Sequence, residues 1–154
     1  MSFHGKDQRI CSGRVIQNQP FWPDIDLGIL VNDYRMPADL PETVIETELR
    51  IAMGTINSRL ESLRYTMREK GFSRLTEVPS ECINGVSLLL ERYTRAVMCA
   101  AKAAILREWP SIDRREAAEN QARSSAETED RYLEFADEAV SALLGLGNIN
   151  VELM

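Results

Sequence analysis

A single histidine, His4, occurs in the 154 residues. That excludes metal sites built on several imidazoles, and it leaves a Ser-His-Asp or Cys-His mechanism with one candidate base near the chain end. Cysteine is almost as scarce. Cys11, Cys82 and Cys99 are odd in number, far apart and without a C-x-x-C pair, which argues against a secreted disulfide framework and for a reducing compartment. There is no glycine-rich phosphate loop: Gly145-Leu146-Gly147 lacks a third glycine and follows a helical pattern instead of a strand. The most apolar stretch, Val97 to Leu106, is broken by Lys102 and falls far short of the ~20 residues of a membrane span. Met-Ser-Phe-His-Gly-Lys-Asp at the N-terminus has no apolar core of the signal-peptide kind. Positive charge is also in deficit. With 18 Lys+Arg against 24 Asp+Glu, the formal net charge is −6, which removes the main affinity for nucleic acid or an anionic membrane. These absences favour a cytoplasmic, non-catalytic protein with no metal, no cofactor and no membrane partner.

What is present reads as helix. Hydrophobic residues at 44% and charged residues at 27% fit one soluble domain better than a disordered tail. Residues 1–20 have little periodicity and read as a flexible N-terminal arm, in which only Arg14-Val15-Ile16-Gln17 has strand character. Asp24 or Asp26 suits the cap of a short helix reaching about Tyr34. Pro41 opens the first long helix, and its apolar residues, Ile45, Leu49, Ala52, Ile56, Leu60, Leu63 and Met67, recur three or four apart. Gly71 ends that helix, and Gly54 suggests a close crossing or a slight bend in its middle. Asn84 is the expected cap of a second helix over 85–108, apolar almost all round and therefore central, which Pro110 stops. Asp113 with Glu116 opens a third helix that Gly145 closes. Ile149, Val151 and Leu153 then alternate with polar residues, as in a half-buried strand. The expected architecture is mainly α: a three-helix bundle plus one short helix over 21–146, with the arm before it and an extended, strand-like tail over 147–154.

Few constellations carry chemistry. Asp24/Asp26, Glu46/Glu48 and Glu127/Glu129 stand two apart, a spacing that points helical carboxylates to different sides. Acids accompany the arginine pairs Arg114-Arg115 and Arg92/Arg95. Phe21-Trp22 is first a core plug seating the arm and second an interface anchor, since Trp is common in binding hot spots. Trp109 is a similar plug. Ile149, Val151 and Leu153 fit either pairing with Arg14–Gln17 or strand addition to a partner. Ala118, Ala122 and Ala126 form a small-residue surface suited to solvent or to packing on another subunit.

Four segments share an order with a known family. They are Phe21-Trp22-Pro23-Asp24-Ile25-Asp26, Gly71-Phe72 with Glu77-Val78-Pro79-Ser80-Glu81, Tyr93-Thr94-Arg95-Ala96-Val97 with Ala101-Lys102-Ala103, and Val151-Glu152-Leu153. Together they resemble the head completion/stabilisation proteins of contractile-tailed phages, the GpL family. The resemblance implies a structural virion protein of the head–tail connector type, assembled in the bacterial cytoplasm. It implies a ring of copies under the portal protein after DNA packaging, twelve-fold to match the portal. It also implies a platform for the next neck or tail-terminator protein, while genomic DNA passes through without specific binding. No catalytic residue carries over. In that light the acid excess reads as a channel wall that repels phosphate. The alternative is a small helical regulatory protein that binds a host or phage protein without forming a ring.

Overall fold

A computed structural model describes residues 13–109 and 128–152. Among these the fold is mainly helical, with five α-helices and two small antiparallel sheets. The first sheet pairs β1 (Val15–Ile16) with β2 (Ile25–Asp26), Val15 opposite Asp26 and Ile16 opposite Ile25. Part of the expected arm, residues 13–20, is therefore folded onto the domain; residues 1–12 lie outside the described residues. Asp26 caps α1 (Leu27–Asp33), accepting from Gly28 N at 2.8 Å.

The first long helix is interrupted. α2 (Glu42–Arg59) and α3 (Glu61–Glu69) meet at Leu60, whose φ of −101° and ψ of 15° leave the helical region. Pro41 stands just before the first helical residue. No close crossing occurs at Gly54, where a Cβ would meet nothing within 4 Å. The break has a local cause instead. The Ser58 hydroxyl donates to the Gly54 carbonyl at 3.0 Å, a back-bond that competes with the backbone ladder and bends helices. At its far end α3 closes as expected at Gly71. With φ +94°, Gly71 donates to Arg68 O and Phe72 to Met67 O, the paired bonds of a Schellman motif.

A 3₁₀ turn (Leu75–Glu77) leads to β3 (Cys82–Ile83) and β4 (Val86–Ser87). Asn84 is not a helix cap. Asn84 and Gly85 have φ of +52° and +76°, the left-handed pair of a type I′ hairpin turn. The cap of α4 (Leu88–Glu108) is Ser87, which accepts from Leu90 N. α4 is the central helix, with α2 and α5 (Glu129–Glu152) both packed on it. Its Ala96, Val97, Met98, Ala101 and Ile105 are buried in the common core. Trp109 ends α4, half-buried against that core.

The C-terminal strand is a correction. α5 runs through Gly145 and Gly147 to Glu152, so residues 147–152 are helical, not extended. Lengthening a helix already anchored by buried Ala136, Ala139, Val140 and Leu143 adds one bond per residue. Two glycines cost about 1 kcal/mol each, and a lone strand has no ladder to join. The Val15–Ile16 strand that was one candidate for it already pairs with β2. Among the described residues no helix is long and apolar enough to cross a membrane.

Candidate functional site

Among the described residues the densest polar constellation joins the N-terminal segment to the helices. Asn18 sits between β1 and β2. Its side-chain amide donates to Tyr93 Oη and to Pro23 O, both at 2.8 Å. Tyr93 Oη donates to Asn57 Oδ1 at 2.5 Å, and Asn57 Nδ2 returns to Asn18 Oδ1 at 2.9 Å. The three side chains close a ring linking the segment after β1, α2 and α4. Asp24 accepts from Asn18 N, and Gln19 Oε1 accepts from Asn57. Burial pushes the Tyr93 hydroxyl well above its ordinary range, opposed in part by its bond to Asn18. A fully satisfied buried network of this kind fixes one arrangement of its elements. Its chemistry is structural.

Phe21 and Trp22 complete the junction. They are 1% and 4% exposed, with Trp22 stacked on Tyr93 at 5.0 Å and edge-on to Phe21 at 4.8 Å. Phe21 O accepts from Leu75 N at 2.9 Å. Both aromatics are thus enclosed in the core, where they seat the N-terminal segment. Trp22 Nε1 is buried without a hydrogen-bond partner. Polar hollows of about 330 and 340 Å³ flank this segment; a third of about 320 Å³, lined in part by Leu63, Met67, Val78 and Leu89, opens beside the hairpin.

The remaining sequence candidates do not converge. Ile149 and Val151 lie on α5, which is helical where a strand was expected. Leu153, Ala118, Ala122, Ala126, Asp113, Glu116 and His4 lie outside the described residues. Of the acidic pairs, Asp26 caps α1, Asp24 holds Asn18, and Glu46 pairs with Arg14 at 2.5 Å. Among the described residues no group of His, Cys, Asp and Glu could hold a metal. Sequence reasoning missed Asn18 and Asn57 entirely. An asparagine within the apolar run of α2 was the available signal for the second. Lys102, seen only as a break in an apolar stretch, is fully buried, with Nζ donating to Arg35 O at 3.3 Å and 6.0 Å from the Tyr132 ring centre. Burial also pushes the Tyr34 hydroxyl up to about 12, with Cys99 beside it, and raises the Cys99 thiol.

Among the described residues the exposed large apolar side chains are few: Val15, Ile51, Tyr65, Ile83 and Val86. Ile83 and Val86 face each other at the hairpin tip. Ile51 and Tyr65 lie on the outer side of α2 and α3.

Polar groups spent on holding helices together, with apolar side chains left on helix and hairpin surfaces, describe a structural component. Comparison with known proteins names the kind. A model of the phage head completion protein (GPL) family matches residues 16–154, and the chain belongs to that family, which is structural and non-enzymatic. It is 29% identical over 99 residues to the head completion/stabilization protein of Escherichia phage P2, a match spanning 64% of this chain and 59% of that protein. It is 27% identical over 143 residues, 93% of each chain, to the probable head completion/stabilization protein of Haemophilus phage HP1. No solved structure matches it. The chain is a phage virion protein that completes the head.

Proposed function

We propose that copies of this chain form a ring beneath the portal protein once DNA is packaged, closing and stabilising the filled head and offering a platform to the next neck or tail-terminator protein. The observation that carries this is the family match over residues 16–154, supported by a relative covered over 93% of its length and named for head completion and stabilization. A ring matching the portal has twelve-fold symmetry by that reading. A rigid helical wedge suits such a ring, and the network of Asn18, Asn57 and Tyr93 supplies rigidity across three elements. The net charge of −6 favours a bore that repels phosphate, so that the genome slides through without being held.

Light scattering of the chain alone, followed by pull-down on the cognate portal, tests the reading. The expected result is a small species alone and many copies per portal when bound. Absence of portal binding would sink it, a low-mass one-to-one complex would favour a regulatory module, and a basic bore would break the link to charge.

A further inference from the structure

Residues 81–86, which lead into and form the tip of the β3–β4 hairpin, are all exposed. Two strand pairs hold the tip, Cys82 with Ser87 and Ile83 with Val86, and so short a hairpin is marginally stable by itself. Its turn is Asn84-Gly85. The chain has asparagine at positions 18, 32, 57, 84, 120, 148 and 150, and Asn84 is the one that precedes a glycine.

That order matters chemically. The side-chain amide carbon of an asparagine lies within reach of the next residue's backbone nitrogen, because their bond closes an unstrained five-membered ring. Glycine leaves that nitrogen unobstructed, since it has no Cβ. Among the described residues no hydrogen bond engages the Asn84 side chain or the Gly85 N–H. Asn57 gives the contrast. It precedes a small residue, Ser58, yet it is 3% exposed within α2. Its side chain is bonded to Asn18, Gln19 and Tyr93.

The turn itself acts as a gate. Asn84 is left-handed, with φ +52°, and in that conformation the following nitrogen stands on the far side of the Cα–C bond from Cβ. Attack therefore waits until the tip opens and Asn84 leaves the left-handed region. Opening an exposed two-pair hairpin costs far less than unfolding the helices beneath it.

We infer that Asn84 is a modification site, at which the chain deamidates spontaneously when the hairpin tip opens. The Gly85 nitrogen gives up its proton and bonds to Asn84 Cγ. The bond from Cγ to the side-chain nitrogen breaks, and that nitrogen leaves as ammonia with the proton. The resulting succinimide takes up one water. Opening at Cγ yields aspartate, and opening at the main-chain carbonyl yields isoaspartate, with no oxidation or reduction in either case. Isoaspartate routes the backbone through Cβ and Cγ. The added backbone atom breaks the two-residue register that joins Ile83 to Val86, and either product places a carboxylate between these exposed apolar side chains.

Peptide mapping tests it. The full-length chain and a synthetic peptide of residues 81–88 are incubated together in mildly alkaline buffer until the peptide is fully converted. The chain is then digested and its products are separated against isoaspartate and aspartate standards. Conversion at Asn84 is expected to exceed that at Asn57 at least tenfold, with isoaspartate above aspartate and a slower rate than in the free peptide. Conversion at Asn84 no greater than at Asn57 overturns the site. Aspartate alone means direct hydrolysis and overturns the ring route, whereas a rate equal to the peptide's overturns the gate. Val86→Gly, which weakens the strand pair, is expected to raise the rate at Asn84 at least threefold; an unchanged rate contradicts the gate.

Discussion

Ile45, Leu49 and Ile56 on one side of α2 are 0–1% exposed, while Ile51, between them in sequence, is 57% exposed. The same residue type on the same helix has opposite surroundings because 3.6 residues per turn sends positions two apart to different sides. The difference teaches that an apolar residue on a helix is informative by the line it belongs to. The inward line makes the domain; the outward line stays exposed.

The largest expected contrast is therefore Leu49→Ala against Ile51→Ala. The first removes a fully buried side chain and is expected to cost about 2–5 kcal/mol, read from urea denaturation. The second is expected to stay within about 0.5 kcal/mol. Equal losses would erase the distinction between the two faces. Next comes the polar junction between α2 and α4. Tyr93→Phe leaves Asn18 and Asn57 without the hydroxyl that joins them, for an expected loss of about 1–3 kcal/mol. A neutral outcome would mean that the ring of hydrogen bonds adds nothing to stability.

Alkaline pH probes the same interior. The Tyr34 hydroxyl, ordinarily ionising at 10.0, is pushed up to about 12, chiefly by burial, and Tyr93 moves in the same direction. A raised folded-state value means the contribution is whole below the unfolded value and is lost as pH rises through the folded one. Stability should fall from about pH 10 towards 12, and Tyr34→Phe should flatten that fall. The smallest effect has the opposite sign. Gly54→Ala has room for its Cβ and is expected to stabilise the isolated chain by about 0.4–1 kcal/mol, visible as a raised melting temperature. Destabilisation would mean that Gly54 serves the chain's own fold.

Much of the helical framework was legible in the sequence because amphipathic spacing and punctuation are local. The inward line of α2 and α3, the Gly71 stop, the Asp26 cap and the central place of α4 follow from residues within a few turns of one another. Three things were not read. Asn84-Gly85 is a strong hairpin signal, yet an asparagine just ahead of a helical pattern also suits a cap. The alternation Ile149, Val151, Leu153 covers too few residues to outweigh continuation of α5. The junction of Asn18 with Asn57 and Tyr93 joins residues 39 and 75 positions apart, and no local pattern announces a contact of that range. Phe21-Trp22 could be read both ways, and the fold buries both in the core.

Electron microscopy of the full-length chain bound to its portal tests the central claim most directly. The account predicts a closed twelve-fold ring of added copies beneath the portal. Portal particles that carry no added ring would contradict it.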